Sequence, residues 1–230
     1  MSKHFLFAAI ASLAMVNSAS ASAINWQTPH NISGASDVNT TGTTFGTWAP
    51  ASGFAIPTTV NGVDFYGVPD LSGFTTSFTT PAIVFGSPGT ADANYNALLS
   101  NGTFSFSTSA TVGWSGMTVG NTYLVELWVS DTRTGIGVES RTETFSGSGS
   151  DLSSSVAFQT AAGAGQYIVG TFVADATGAE TITINGNVVP QLNLMQVRDL
   201  GAPPLPEPAT LSLFGLGALA MLRRPLKKPA

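Results

Sequence analysis

The sequence predicts an all-β protein: a single two-sheet antiparallel β-sandwich, flanked by an N-terminal signal helix and a short C-terminal apolar helix. Three observations carry this reading. The 230 residues include 28 Thr, 25 Ser and 25 Gly, while only 9% are charged. Thr suits strands, and scarce Lys and Glu leave little with which to build solvated helix faces. Short apolar alternations recur, broken by Gly, Pro, Asn and Asp at intervals of roughly 8–15 residues. Only residues 91–100 read as a short helix, or as a loop anchored through Leu98 and Leu99. Many short strands with almost no helix must pack sheet on sheet.

The elements follow in order. Residues 1–23 stand apart as a signal peptide: Lys3, then the apolar stretch Phe5 to Val16, then small residues to Ala23. Signal peptidase requires small side chains at −3 and −1, which Ala21 and Ala23 supply; Ala19 and Ala21 form an equally legal pair. The apolar stretch is too short for an ordinary membrane span. Residues 24–200 form the sandwich. Strands are expected at 43–48, 60–66, 74–79, 82–86, 103–108, 111–114, 123–130, 140–146, 153–159, 166–174, 179–185 and 191–199. In 123–130, Tyr123, Val125, Leu127 and Val129 alternate with Leu124, Glu126, Trp128 and Ser130, an apolar face against a mixed one. Asn61-Gly62 and Asn185-Gly186 are hairpin-type dipeptides. The length and the long early connections suit a jelly-roll-like sandwich better than a seven-stranded immunoglobulin domain. Residues 201–205 are a short Pro-rich linker.

Composition excludes several functions. With no Cys there is no disulfide, thiolate metal site or Cys nucleophile. Residues 24–205 hold three Arg, no Lys and twelve acidic residues, so phosphate-neutralising cations are lacking and nucleic acid is not expected as a partner. His30 is the one His of that segment, and no Gly-x-Ser-x-Gly elbow surrounds a Ser, which argues against a Ser-His-Asp hydrolase. A non-enzymatic protein without a resident cofactor is expected. Glu126 stands out among the acids because it lies on a core-like strand; it is expected at a solvated outer face, or paired with Arg133, Arg141 or Arg198. Calcium would need hard oxygen donors from loops, for which Asp37 and Asp131 are the candidates.

The C-terminus is tripartite. Pro206, Glu207 and Pro208 open it, residues 209–222 carry no charge, and Arg223, Arg224, Lys227 and Lys228 close it. As a helix the apolar run spans about 21 Å at ~1.5 Å per residue, short of a bilayer core of about 30 Å. The basic end should remain cytoplasmic. Residues 206–228 resemble the PEP-CTERM sorting signal of exported bacterial proteins. The resemblance implies a precursor held in the membrane by the C-terminal helix, then processing near Pro206-Glu207-Pro208 by an exosortase-type transpeptidase. It further implies a Gram-negative-type cell making extracellular polysaccharide, with the protein ending at the cell surface or in the matrix.

The body carries a second resemblance. Gly120-Asn121-Thr122-Tyr123 opens a strand leading to Asp131, a strand over 167–174 follows, then Ile182-Thr183-Ile184, and 192–199 closes the body. This order resembles the second half of galactose-binding-like or malectin-like jelly rolls, which implies carbohydrate binding. Sugars need aromatic faces and fixed polar groups, and the candidate set is Tyr66, Trp128, Asp131 and Arg133. The expected function is adhesion or association with extracellular polysaccharide in the biofilm matrix. A purely structural matrix component and a glycoside-processing enzyme using a carboxylate pair are the alternatives.

Overall fold

A computed structural model of the chain describes residues 23–50, 57–80, 83–134, 141–147, 158–159 and 164–203. The expected signal helix and C-terminal apolar helix lie outside these residues. In chain order the strands are β1 (Asn25–Trp26), β2 (His30–Asn31), β3 (Thr43–Trp48), β4 (Thr58–Val60), β5 (Val63–Phe65), β6 (Thr75–Thr76) and β7 (Ile83–Val84). Helix α1 (Ala93–Leu99) precedes β8 (Asn101–Phe104), β9 (Ser109–Ser115), β10 (Thr122–Val129), β11 (Thr142–Ser146), β12 (Phe158–Gln159), β13 (Gln166–Val173), β14 (Ala179–Gly186), β15 (Gln191–Leu192) and β16 (Leu194–Gly201).

All pairings are antiparallel. Two small sheets, β15-β8-β7 and β4-β5, accompany two large ones: the first runs β1-β13-β10-β16-β3, with β2 also on β13, and the second runs β12-β11-β14-β9-β6. The two large sheets pack face to face as the sequence predicts. Val125, Leu127 and Val129 of β10, Ile168 and Phe172 of β13, and Met195 and Val197 of β16 meet Val112 and Trp114 of β9, Phe145 of β11, and Ile182 and Ile184 of β14.

The sheets differ in their outer faces, and the sequence encodes the difference. β14 alternates strictly: Ile182 and Ile184 are buried while Thr181 and Thr183 are half-buried on the other side. β9 and β11 place Thr111, Ser109, Thr142 and Thr144 on that same outer face. This hydroxyl-rich surface accounts for much of the Thr and Ser content. β10 reads instead as a nearly continuous apolar run, the signature of a strand buried on both faces. Seven of its eight residues are buried.

What covers its second face is a cap the sequence analysis did not foresee. Helix α1, the β4–β5 hairpin and a 3₁₀ turn at Ala35–Asp37 enclose a second apolar cluster: Tyr95, Leu98 and Leu99 from α1, Val60, Val63 and Phe65 from the hairpin, with Trp128 and Leu194 from the sheet. The short helix expected at 91–100 therefore exists, started by Asp92, whose carboxylate accepts the Tyr95 N–H at 2.8 Å. The strand expected over 60–66 is instead a two-residue hairpin. Asn61 and Gly62 both take positive φ, 48° and 76°, so the turn matches the twist of its strands. Asn185-Gly186 is not a turn. Both residues sit within β14, paired to β11, and Asn185 also pairs with β9.

The strand expected over 191–199 is broken at Asn193. β15 pairs with β8, whereas β16 pairs with β10 and β3. Asn193 is fully buried at the break, and its amide replaces the missing ladder bonds. Nδ2 donates to the carbonyls of Leu99 at 2.8 Å, Asn101 at 3.0 Å and Ser130 at 3.0 Å; Oδ1 accepts from Ser130 N and Gln191 Nε2, both at 2.8 Å. One side chain thus ties α1, β8, β10 and β15 together.

Removing that amide strands several buried backbone groups, each costing on the order of 1–3 kcal/mol. Asn193→Ala should therefore lower the unfolding free energy by at least about 3 kcal/mol in urea titrations, while Asn185→Ala, on the outer face, changes it by less than about 1 kcal/mol. Equal effects would refute the bridging role.

Candidate functional site

The site forms where β10 ends. Ser130 and Asp131 leave the sheet, and the chain is held against β7's exit because Thr132 N donates to Phe85 O at 2.9 Å. Asp131 is fully buried and gathers two guanidinium groups. Arg133 is bidentate, Nε to Oδ1 at 2.8 Å and Nη2 to Oδ2 at 2.7 Å. Arg141 donates Nη1 to Oδ2 at 3.1 Å and Nη2 to the Val189 carbonyl at 3.1 Å. These are the two ion pairs among the described residues, and they share one carboxylate. The Arg133 guanidinium also lies over the Phe85 ring, 4.7 Å from its centroid, a favourable cation–π distance.

Beside this triad opens a shallow cleft of about 110 Å³, lined by Ile83, Phe85, Phe104, Arg133, Arg141 and Val189. Phe104, one of the lining residues, packs edge-on against Phe106 at 5.0 Å, and Phe106 is 80% exposed. Among the described residues Arg141 Nε has no acceptor, although the residue is buried. Apolar walls and cationic groups therefore meet in one place.

The proposed sugar set does not converge. Arg133 lines the cleft. Asp131 lies behind it as the anion that aligns both arginines. Trp128 is fully buried among Phe65, Leu98 and Leu194, so it cannot stack on a ligand. The cap over this face of β10 makes Trp128 a core residue and removes it from the candidate sugar set. Tyr66 is half-buried beyond the β4–β5 hairpin and does not line the cleft. Sequence reasoning missed Phe85, Phe104, Val189 and the role of Arg141. The scarcity of cations was the available signal, since two of the body's three arginines meet here.

The two candidate metal donors are engaged elsewhere. Asp37 accepts from Ser33 N at 2.7 Å, Ser33 Oγ at 2.6 Å, Gly34 N at 3.0 Å and the Tyr95 hydroxyl at 3.3 Å. It is a turn-forming acceptor under the cap, and Asp131 belongs to the arginines. Among the described residues no group of three or more His, Asp or Glu side chains is placed to hold a metal ion.

Glu126 is neither solvated nor ion-paired. It lies buried on the capped face of β10, opposite Gln196. Gln196 Nε2 donates to its Oε2 at 2.5 Å and Asn39 N at 3.1 Å. Burial raises its carboxyl to about 7, against the lowering effect of these bonds and of the nearby Arg198 charge. Arg198 itself binds the backbone strap over this face, donating to the carbonyls of Thr40 at 3.0 Å, Thr41 at 2.6 Å and Gly42 at 2.8 Å. A second buried acid, Glu143 on β11, accepts Gln191 N at 2.8 Å and is raised by burial to about 8, opposed by that bond and by the Arg141 charge. Each carboxyl has one oxygen without a partner among the described residues, an arrangement that favours the neutral acid. His30 is exposed, stacked on Tyr167 at 5.3 Å.

Among the described residues no helix is long and apolar enough to cross a membrane. Pro206, Glu207 and Pro208, the apolar run at 209–222, and the cleavage residue Ala21 lie outside those residues. Ala23 is the first described residue and is exposed. In comparisons with known proteins, the family model of the PEP-CTERM protein-sorting motif matches residues 204–228. No curated protein and no solved structure matches the chain.

The raised carboxyls fix a pH dependence. An acid with a folded-state pKa above its unfolded value of 4.5 stabilises the fold relative to higher pH, and that advantage is lost as pH rises toward about 7 and 8. Stability should fall between about pH 5 and pH 9. Glu126→Gln should remove a portion of roughly 3 kcal/mol from that slope, and Glu143→Gln a further portion. Urea unfolding across the range measures it; a wild-type profile that is flat or rises with pH contradicts the assignment.

Proposed function

We propose that this chain is an exported cell-surface or extracellular-matrix protein whose β-sandwich associates with extracellular polysaccharide without catalysing a reaction. The observation that carries the reading is the PEP-CTERM sorting motif at 204–228, which supports export and handling by an exosortase-type system. Residues 1–23 act as a signal peptide cut by signal peptidase, with Ala21 and Ala23 at the cleavage positions. Residues 24–200 are the working body, 201–205 a linker, and 206–228 the signal that holds the precursor in the membrane until processing. The host is of Gram-negative type, and the final place is the surface or the biofilm matrix.

Polysaccharide association is supported by the cleft, which offers aromatic and aliphatic walls beside fixed guanidinium donors. The non-enzymatic reading is supported by the placement of the perturbed acids. Glu126 lies under the strap and Glu143 behind β15, and neither lines the cleft. A general acid must reach its substrate.

Replacing Pro206, Glu207 and Pro208 together with Ala in the native host should leave a heavier, unprocessed precursor in the membrane fraction. Fractionation and intact mass read the outcome. Unchanged mass and distribution would overturn the sorting assignment.

A further inference from the structure

We propose that the cleft between Phe104 and the Asp131–Arg133–Arg141 triad is a binding site for a carboxylate-bearing sugar, a uronate unit of an acidic polysaccharide. The inference rests on the polysaccharide reading above and specifies its ligand.

The argument begins with charge. Two guanidiniums share one carboxylate, so among the described residues the triad keeps a net positive charge beside the cleft. Glu143, an acid whose carboxyl feels the Arg141 charge, is driven toward its neutral form by burial. A body with three Arg among twelve acids thus places two of those Arg at a single point.

Geometry gives the second argument. Arg141 is 94% buried yet its Nε has no acceptor among the described residues. A buried charged donor left unpaired is costly unless something completes it. Its Nη1 and Nη2 are already committed to Asp131 and Val189. That Nε is itself out of reach of solvent, so what Arg141 offers a ligand is the guanidinium charge it sets in the cleft wall, and a carboxylate answers such a charge most strongly. Arg133 is fixed by Asp131 and by the Phe85 ring, so its orientation costs nothing further on binding.

The walls select what carries the carboxylate. Phe104 lines the cleft and meets Phe106 edge to face, and Phe106 stands 80% exposed beside it. Such a ring is a platform for the apolar face of a pyranose. The cleft, at about 110 Å³, is shallow and open. That volume is of the order of one sugar ring, a single unit of a longer chain. A uronate unit unites the apolar ring face with the acid.

The test titrates the full-length chain, in mild detergent, with three probes: a galacturonate oligomer, its methyl ester, and a neutral dextran oligomer. The galacturonate should bind, and the ester should bind at least about tenfold more weakly, since it keeps the ring but loses the charge-assisted bond. Arg141→Lys keeps a charge beside Asp131 but removes the planar guanidinium from the cleft wall, and Phe106→Ala removes the exposed ring beside Phe104. Each should weaken galacturonate binding at least about fivefold with the melting temperature of Phe106→Ala unchanged. Equal affinity for acid and ester, or a folded Arg141→Lys that binds as the wild type does, overturns the uronate assignment while leaving neutral polysaccharide association standing. If Arg141→Lys does not fold, the ester comparison and Phe106→Ala decide alone. A folded protein that binds none of the three probes overturns the uronate assignment; the polysaccharide reading falls only if a wider panel of neutral and acidic glycans is also negative.

Discussion

The double burial of β10 is the constraint on which the rest of the structure depends. A strand between two apolar layers has no water on either side, so every polar group on it and its neighbours needs an internal partner. The front face meets this simply, with aliphatic and aromatic side chains against the second sheet. The back face does not. Its cross-strand pair is Glu126 and Gln196, flanked by Arg198. The loop over 38–42 answers these groups with its own backbone: the Asn39 N–H reaches Glu126, the Asn39 carbonyl accepts from Gln196, and the next three carbonyls accept from Arg198. The cap is thus pinned by hydrogen bonds at one end and by apolar packing around Trp128 at the other.

This arrangement explains how so acidic a body holds together with so few cations. Among the described residues Arg198 meets no carboxylate by hydrogen bond; it organises the carbonyl oxygens of Thr40, Thr41 and Gly42. Arg133 and Arg141 converge on Asp131. Glu126 and Glu143 are accommodated in the interior by their hydrogen bonds and by burial, which drives both toward the protonated form. A buried carboxyl that can go neutral avoids most of the penalty of a buried charge. The interior is polar where the sheet needs it, and charge is concentrated where β10 ends.

Much of the fold was legible in the sequence because period and punctuation report on one face at a time. β14 alternates and lies where that pattern places it, whereas β10, expected to show an apolar face against a mixed one, is buried on both faces. The Asn61-Gly62 turn was readable from its need for positive φ, and α1 from Leu98 and Leu99. What stayed hidden was the cap. An apolar strand residue such as Trp128 looks the same whether its second face meets solvent, a ligand or another layer, and the sequence distance from β10 to the elements that cover it leaves no local trace. The same blindness misplaced Glu126. Asn193 shows a related failure: alternation continues through it, yet the ladder breaks there because a buried amide can supply the bonds of two strands at once. At the cleft, Arg133 was found through its neighbour Asp131, whereas Phe85, Phe104 and Val189 come from three distant segments joined only by the fold.

Topology adds a direction to the molecule. β10 and β16 are antiparallel, with Thr122 opposite Gly201 at one end and Trp128 opposite Leu194 at the other. The cleft lies beyond Trp128, at the Asp131 end, while the chain proceeds from Gly201 toward the sorting motif at the Thr122 end. The eight residues of β10 separate the two by about 25 Å at ~3.4 Å per residue. β1 joins near the same end as the tail, pairing Asn25 with Thr171, whose other neighbour is Leu124. Both ends of the body therefore leave from one half of the central sheet, and the arginine cleft occupies the opposite tip.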